Sequence, residues 1–283
     1  MPGTLFVVAT PIGNLDDVTA RALRVLREVD VIAAEDTRRT SHLLTRYAIT
    51  TPTTSLHEHN EQKKTATLLA RLGAGGSIAL VSDAGTPTVS DPGQRLIQAA
   101  VAAGVRVEPI PGPSAILATL AASGFPADSF LFLGFPPTRS KDRKKWFGRL
   151  RVATGTVVFF EAPHRVLRTL SEIQEAMGDI ETVAGREITK VHEELVRGPI
   201  STILSVLEEP RGEFTIALYV GQKTEIAVEL VGLEKAAVAD FGLITELAGA
   251  SRRTIVAALA RRHGLHPNQV YALLEAAKSD SLP

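Results

Sequence analysis

A short loop with two carboxylates is the first part of this sequence whose residue types could do chemistry. In "LVSDAGTPTVSDPGQRL" (residues 80–96) an apolar run ends, a loop of small residues follows, and a helical pattern begins near Gln94. This order is typical of a turn that binds nucleotide phosphates through its backbone N–H groups. The loop, however, holds Asp83 and Asp91 and no lysine or arginine before the helix, so it lacks the Walker pattern. We therefore predict that its ligand is not a phosphate group.

The acidic loop suits a ligand that carries positive charge. In open α/β sheets, ligands bind at the carboxyl ends of the strands, and Asp83 lies there beside Gly85. A carboxylate in this position accepts hydrogen bonds from ribose or amine groups and favours a nearby cation. S-adenosylmethionine has an α-amino group and a sulfonium but no phosphate, and the loop predicts this cofactor. The alternative is that the loop forms two ordinary turns rich in glycine, proline and aspartate.

Two further strand ends have the same character. "VVATPIGN" (7–14) ends its apolar run on proline and glycine, and "EPIPGPSA" (108–115) ends on proline, glycine and Ser114, which can cap the next helix. Any one of these stretches is an ordinary turn. Three of them after apolar strands in one domain predict a shared rim around a ligand.

Titratable residues that could serve as a catalytic acid or base lie in three other places. Glu35 and Asp36 follow the second predicted strand, with Arg38 nearby to pair with phosphate or carboxylate. They could instead be an acidic pair that favours a helix N-terminus. Lys190, in "REITK", could steady a phosphate or form surface salt bridges. The sequence does not choose the base among the candidates.

The stretch "LHEHNEQ" (56–62) is a polar loop with two histidines. His57 and His59 could share a face in an extended chain, but no third ligand has convincing spacing, so no metal site is predicted. The remaining alternatives are a loop that faces RNA or takes part in catalysis, through His59 and Glu61, and a solvated loop without a role.

Two basic stretches could contact nucleic acid. "TRSKDRKKWFGRLR" (138–151) includes Lys141, Arg143, Lys144 and Lys145 and is interrupted by aromatic residues, which suits phosphate contact and base stacking. The alternative is an amphipathic helix with a solvated basic face and its aromatics in the core. A second basic pair, Arg252 and Arg253, lies in a helix–turn–helix-like tail, which alone is a weak sign of nucleic-acid binding.

The composition sets the class of protein around these residues. The chain has 283 residues, 45% of them hydrophobic, and its 31 basic residues balance its 31 acidic ones. This is typical of a soluble globular protein with room for two domains. The chain has no cysteine, which excludes disulfides, cysteine-ligated metals and cysteine nucleophiles and is consistent with a cytoplasmic location. No apolar run approaches a signal peptide or a membrane span, so no membrane partner is predicted.

Alternating strand and helix patterns predict an α/β fold with a mainly parallel first sheet. The pattern pauses at "SGFPADS" (123–129), resumes, and gives way to helical patterns alone after residue 223. We expect two consecutive αβα domains and a small helical appendage. Their predicted ranges are 1–123, 124–223 and 224–283.

Taken together, these motifs resemble the 16S ribosomal RNA cytidine 2′-O-methyltransferase family of the tetrapyrrole-methylase superfamily. The resemblance runs from about residue 4 to residue 221 and is specific, because "SDAGTP" and "EDTR" distinguish this family from its porphyrin-methylating relatives. Phe160 stands where the resemblance leads us to expect tyrosine. The stretches that carry it are "VVATPIGNLDDVT", "VDVIAAEDTRRT", "HEHNE", "ALVSDAGTPTVSDPG", "IPGPSA", "FLGFPP", "FFEAPHR" and "REITK".

The resemblance implies S-adenosylmethionine-dependent methylation of a cytidine ribose in 16S ribosomal RNA of the small subunit, at cytidine 1402 of the decoding region. It also implies two α/β domains with the cofactor in the cleft between them, and a homodimer. The residues that it points to as cofactor contacts are Pro11, Asp83, Gly85, Thr86, Ser114, Ala115, Phe160, Glu161 and Ala217.

Two other functions stay open at this point. The chain could be another methylase of the superfamily that acts on a porphyrinoid or a protein side chain, although the basic stretches favour RNA over a small anionic substrate. It could also be an RNA-binding assembly factor that has kept the fold and lost turnover.

Overall fold

The computed structural model describes residues 3–221, 252–263 and 266–280. The chain divides into two compact units, Met1–Val220 and Gly221–Pro283. The larger unit contains two five-stranded sheets, and the described part of the smaller one contains two helices.

A parallel sheet forms the first half of the larger unit. Its central strands are apolar and buried on both faces, as helices packed on each face of a parallel sheet require. Most of its helices begin at a residue whose side chain accepts a backbone N–H, including the predicted cap Ser114. In chain order the elements are β1 (Thr4–Val8), α1 (Ala20–Glu28), β2 (Val31–Ala34), α2 (Thr37–Arg46), β3 (Thr53–Ser55), α3 (Glu61–Gly73), β4 (Ile78–Val81), α4 (Gln94–Ala102), β5 (Arg106–Ile110) and α5 (Ala115–Ser123).

The strand order β3-β2-β4-β1-β5 determines where this sheet can bind a ligand. From β1 the chain crosses toward β2, whereas from β4 it crosses the other way toward β5. Helices α1 and α2 pack on one face, and α3 and α4 pack on the other. The carboxyl ends of the neighbouring strands β1 and β4 are therefore a topological switch point, where open α/β sheets bind ligands.

The second sheet is mixed, with the order β6-β7-β10-β8-β9. Only β6 and β7 pair in parallel, and the other neighbours are antiparallel. Helix α5 covers one face and three later helices cover the other, so a helix that follows the first sheet helps to bury the second. The elements are β6 (Phe130–Phe132), α6 (Ser140–Val152), β7 (Thr156–Glu161), α7 (Pro163–Met177), β8 (Glu181–Arg186), β9 (Glu194–Pro199), α8 (Ile200–Val206) and β10 (Phe214–Tyr219).

The predicted α/β fold with a parallel first sheet is confirmed, and three elements were missed. These are β3, with three residues, α8, with seven, and β9, whose sequence ELVRGP combines two charged residues with glycine and proline. The predicted boundary at residue 123 coincides with the last residue of α5. That the two halves are separate domains stays a prediction, since residues 1–220 form one compact unit.

The smaller unit contains α9 (Arg252–His263) and α10 (Pro267–Asp280). Ile255, Val256 and Leu259 pack against Val270 and Leu274, which closes a small apolar core of its own. Both helices agree with the helical appendage predicted for 224–283, and residues 222–251 of that range lie outside the described residues. No helix in the described part of the chain has the length and apolar character needed to cross a membrane.

Candidate active site

The loops that follow β1 and β4 are joined at the switch point. Thr10 and Gly85 exchange two backbone hydrogen bonds, with N···O distances of 2.9 and 3.0 Å. The Thr10 hydroxyl also donates to the Ser82 carbonyl at 3.2 Å. These bonds hold two of the three predicted rim loops in a fixed relative position.

A cleft of about 330 Å³ opens beside this pair, lined by loops that follow β1 and β4, by the start of α5 and by residues of the second sheet and its loops. Its volume is at the lower end of the range for small-molecule sites. The lining is mainly apolar, with a few carboxylates and hydroxyls. The lining residues are Ile12, Ala84, Gly85, Thr86, Val89, Ser90, Asp91, Ser114, Ala115, Ile116, Phe135, Phe160, Glu161, Ala162, Pro163, Ile188, Glu213, Phe214 and Thr215.

The loop between β4 and α4 holds unusual backbone conformations where it borders the cleft. Gly85 has a φ of 80°, and the non-glycine residues Thr88 and Ser90 have φ values of 73° and 68°. Such conformations cost on the order of 1–3 kcal/mol each for a residue with a Cβ and concentrate at functional sites. Together with the cleft, they indicate that this loop is shaped for binding rather than for stability alone.

Three carboxylates gather behind and beside this loop. The Asp83 N–H donates to Glu35 Oε2 at 3.3 Å, and Asp83 Oδ1 accepts from the Asp36 N–H at 2.9 Å. Arg39 lies 3.4 Å from Asp83 Oδ2, so one cation offsets part of the negative charge. The cluster connects the second strand end to the loop and keeps acidic groups close to the cleft.

Burial changes the acidity of Asp91, which lines the cleft, and of Glu35 in this cluster. Burial first, and then the negative charges of Glu35 and Asp83, raise the pKa of Asp91 to about 6. Burial also raises the pKa of Glu35, against a hydrogen bond from the Asp83 N–H. Hydrogen bonds from Arg38 instead lower the pKa of Asp36 to about 2. Asp91 is thus a cleft carboxylate whose basicity is higher than that of an ordinary aspartate.

On the second sheet, Glu161 is buried, and both of its carboxylate oxygens accept hydrogen bonds. Its Oε1 accepts from Arg165 Nε at 2.9 Å and from the Ala162 N–H at 2.8 Å. Its Oε2 accepts from Arg165 Nη2 at 3.1 Å and from the Thr169 hydroxyl at 2.7 Å. The carboxylate therefore fixes the junction of β7 and α7, which forms one wall of the cleft.

Six of the nine predicted cofactor residues line the cleft: Gly85, Thr86, Ser114, Ala115, Phe160 and Glu161. The other three do not. Pro11 lies between Thr10 and the lining residue Ile12. Asp83 accepts a hydrogen bond from the N–H of Asp36, the residue that caps α2. Ala217 is buried in β10 against α5.

None of the four predicted catalytic residues lines the cleft. Glu35 and Asp36 lie in the carboxylate cluster, and Asp36 caps α2. The buried Glu61 accepts from the Gly93 and Arg95 N–H groups at 3.1 and 2.8 Å, so it caps the N-terminus of α4. Lys190 lies 2.9 Å from Glu187 and 3.0 Å from the lining residue Glu213. Catalysis by these four residues stays a prediction.

The sequence interpretation did not assign a catalytic role to Asp91, which is the lining carboxylate with the raised pKa. The sequence shows that Asp91 follows a strand, in "VSDPG", but it does not show that the charge of Glu35 acts on Asp91. Phe135 was missed as well, although glycine and two prolines flank it. Within the described residues, no group of three or more histidine, aspartate or glutamate side chains is arranged to hold a metal ion.

The predicted RNA-binding residues lie in different settings. Lys141, Lys144 and Lys145 are exposed on α6, whereas Trp146 is buried in the core of the second sheet. Arg143 is turned inward, with Nη2 2.7 Å from Glu172 and 2.9 Å from the Thr169 hydroxyl. The aromatic Trp146 is therefore a core residue and not a stacking surface.

The other predicted RNA contacts belong to other elements of the chain. Arg38 is exposed and paired with Asp36, and His59 is exposed in its loop. Arg253 is exposed on α9. Arg252 begins that helix, and its side chain lies outside the described part of the chain.

Comparison with known proteins gives a consistent result. Residues 4–204 match the sequence profile of the tetrapyrrole (corrin/porphyrin) methylases. A protein named ribosomal RNA small subunit methyltransferase I from Thermotoga maritima is 47% identical over 218 residues, which cover 76% of this chain and 98% of that protein. A protein of the same name from Pseudomonas aeruginosa is 42% identical over 250 residues, covering 87% of this chain and 88% of that protein.

Solved structures support the fold. A diphthine synthase has a TM-score of 0.62 at 16% identity, covering 77% of this chain and 90% of that chain. A uroporphyrin-III C-methyl transferase from Thermus thermophilus, complexed with S-adenyl homocysteine, has a TM-score of 0.55 at 18% identity. The match covers 77% of this chain and 97% of that chain. The profile match and the identity to the two bacterial proteins together decide the family. The chain belongs to the ribosomal RNA small subunit methyltransferase I family of the tetrapyrrole methylases.

Proposed function

We propose that this chain transfers a methyl group from S-adenosylmethionine to the ribose 2′-hydroxyl of a cytidine in 16S ribosomal RNA. The observation that carries the proposal is the 47% identity to the Thermotoga maritima methyltransferase over 98% of its length. The cleft at the switch point supports the same conclusion, because it combines an apolar lining with acidic groups. The predicted target, cytidine 1402 of the decoding region, is the finer part of the proposal.

The residues of the cleft fit the cofactor. Gly85 and Thr86 offer a backbone that a ligand can approach closely, and Ser114 and Ala115 begin a helix on the same side. Phe160 adds an apolar ring from the second sheet. When bound, S-adenosylmethionine supplies a methyl group on a sulfonium that a hydroxyl oxygen can displace. Acidic groups near the cleft favour that positive charge.

The chain has two tasks in this reaction: to position the ribose hydroxyl and to accept its proton. Positioning can contribute about 7–11 kcal/mol in favourable intramolecular cases. We assign the proton to an oxygen of the Asp91 carboxylate, which lines the cleft. With a pKa of about 6, Asp91 is ionised at pH 7.5 and still more basic than an ordinary aspartate.

The exposed face of α6 suits the RNA backbone. Lys141, Lys144, Lys145 and Arg149 follow one another at helical spacing and all face solvent. The inward-facing side chains of the same helix hold it against the second sheet. We propose this cationic stripe as a contact for RNA phosphates, which bind clustered lysine and arginine side chains.

Lys144→Glu with Lys145→Glu is expected to weaken RNA binding at least tenfold at low salt, because two phosphate contacts become repulsive. The slope of log affinity against log salt should become shallower by about 1.4–1.8. Filter binding to small-subunit RNA over a salt series measures both quantities. The matched control, Arg24→Glu with Lys63→Glu, changes net charge equally on the exposed surfaces of α1 and α3. Equal losses in the two variants would count against the stripe.

Gly85→Val is expected to weaken binding of S-adenosylmethionine at least tenfold. A Cβ at Gly85 would lie 3.4 Å from the Ile12 side chain, so the added methyl groups would occupy space between lining residues, at a φ of 80°. Gly104→Val is the control, because Gly104 has a φ of 69° and nothing within 4 Å of the added Cβ. Calorimetry that finds the same affinity in both variants would contradict this position for the cofactor.

The homodimer implied by the resemblance and the cytoplasmic location expected from the absence of cysteine stay predictions. Sedimentation equilibrium of the purified chain checks the first. A mass of two chains would support the homodimer, and a mass of one chain would contradict it.

Transfer of a labelled methyl group tests the proposed function. Small ribosomal subunits that lack the modification are incubated with the chain and labelled S-adenosylmethionine, and the RNA is digested to nucleosides. We expect the label in 2′-O-methylcytidine. Label in a methylated base would contradict the ribose acceptor. Bound cofactor without label in any RNA would redirect the search to a porphyrinoid, a protein substrate or a non-catalytic factor.

A further inference from the structure

Phe135 is an exposed aromatic residue at the cleft that the mechanism above does not use. Half of its surface is accessible to solvent, although it lines the same cleft as Asp91 and Gly85. It lies in the loop between β6 and α6. A large apolar side chain exposed at a cleft indicates a contact surface for a ligand.

Other aromatic rings support the Phe135 ring from behind. Its centroid lies 5.3 Å from that of Phe160, with an angle of 49° between the ring planes. Phe160 in turn packs edge-on against Phe132 at 5.1 Å. These distances are within the range of favourable aromatic pairs. Phe135 thus forms the outermost ring of a stack that begins in the second sheet.

The backbone of this loop is held at several points. The Gly134 carbonyl accepts from the Phe160 N–H at 3.1 Å. Arg165 donates to the Pro136 carbonyl, and Arg143 Nη1 donates to the Pro137 carbonyl at 3.3 Å. Two arginines and two prolines therefore fix the loop, so Phe135 loses little freedom when a ligand contacts it.

The cationic stripe of α6 begins at Lys141, six residues along the chain from Phe135. Arg139 is exposed four residues after Phe135, and Lys141 is exposed in the first turn of the helix. A flat apolar ring beside cations is the arrangement that binds unpaired nucleotides, where bases stack on aromatic rings and phosphates contact lysine or arginine. A second copy of the chain would not require this combination of ring and charge.

We propose that Phe135 is a stacking platform for a nucleobase of an unpaired RNA strand, positioning the nucleotide whose ribose enters the cleft. The proposal rests on the proposed function and specifies the form of its substrate. Because stacking on an aromatic side chain tolerates any base, Phe135 would contribute affinity and orientation rather than sequence selection.

The test compares Phe135→Leu, which keeps apolar bulk without a π-face, with Phe135→Tyr, which keeps the ring. The probe is a single-stranded RNA oligonucleotide with the fluorescent base pyrrolocytidine at the target position, since stacking quenches its fluorescence. We expect the wild type and Phe135→Tyr to quench it and Phe135→Leu not to. We also expect a KM for RNA at least tenfold higher in Phe135→Leu, with unchanged calorimetric affinity for S-adenosylmethionine.

Two results would overturn the inference. Equal quenching, or none, in the wild type and Phe135→Leu would show that the ring does not stack on the probe. Weaker cofactor binding in Phe135→Leu with unchanged RNA binding would assign the ring to the cofactor instead. Neither result affects the proposed function as long as the wild type still methylates small subunits. Loss of that activity in the wild type would contradict the proposed function itself.

Discussion

Asp91→Asn is expected to slow methyl transfer by roughly 100- to 10,000-fold, the usual contribution of a positioned general base. The amide keeps the shape of the side chain and cannot accept the proton of the ribose hydroxyl. In the wild type, kcat/KM should rise with pH and level off above about 6, as Asp91 ionises. This rise should be absent from the residual activity of the variant.

The same substitution is expected to stabilise the folded chain. Asp91 is protonated up to about pH 6 in the folded chain but only up to about pH 3.8 when its environment is lost. The folded chain therefore holds an extra proton between these values, and ionising Asp91 lowers the free energy of unfolding as the pH rises from about 4 to 6. Above pH 6, Asp91→Asn should be more stable than the wild type by on the order of 1–2 kcal/mol, after allowance for solvent screening.

Urea unfolding at pH 4 and pH 7.5, together with initial rates, measures both effects. The two proteins should be equally stable at pH 4 and should differ at pH 7.5. Asp16→Asn is the control, because that carboxyl is 79% exposed and outside the cleft. A variant that keeps full activity, or that is less stable than the wild type at pH 7.5, would contradict the assignment of the base.

Glu161→Ala is expected to lower the free energy of unfolding by about 3–5 kcal/mol. The carboxylate is fully buried, and its removal leaves the Arg165 guanidinium without its anion and the Thr169 hydroxyl without its acceptor. Breaking one partner of a buried ion pair has this cost because the remaining charge stays desolvated. Glu161→Gln keeps the hydrogen-bonding shape and should lose less.

Denaturant midpoints of the two variants provide the measurement. The control is Glu209→Ala, since Glu209 and its partner Arg211 are both 79% exposed. An exposed pair contributes about 0–1 kcal/mol, so this variant should resemble the wild type. If Glu161→Ala were no less stable than Glu209→Ala, the role of Glu161 in fixing the cleft wall would be wrong.

Much of the fold could be predicted from the sequence, because the apolar runs of strands such as β4 and β7 are local signals. The elements that were missed have weak signals. β3 has three residues with the sequence TTS, and β9 has the sequence ELVRGP with two charged residues. The antiparallel pairing of β10 with β7 and β8 was also beyond the sequence pattern, because it is decided by contacts between residues distant along the chain.

The candidate site, like the fold, could be predicted from the sequence only in part. Glycine and proline after apolar strands predicted the rim loops, since these residues mark turns by their backbone preferences. The roles of single carboxylates required the structure. Glu61 looked catalytic in a polar loop but caps a helix more than 30 residues away. The pKa of Asp91 depends on burial and on Glu35, which lies far from it in the sequence.

Mapping the methyl group within the RNA tests the central claim most directly. A 2′-O-methyl group prevents alkaline cleavage at its own nucleotide, because the 2′-oxygen can no longer attack the adjacent phosphate. Small subunits treated with the chain and S-adenosylmethionine should show one new gap in the alkaline ladder, at a cytidine. The gap should be absent without cofactor and strongly reduced with Asp91→Asn. A complete ladder after treatment with the active wild-type chain would contradict ribose methylation.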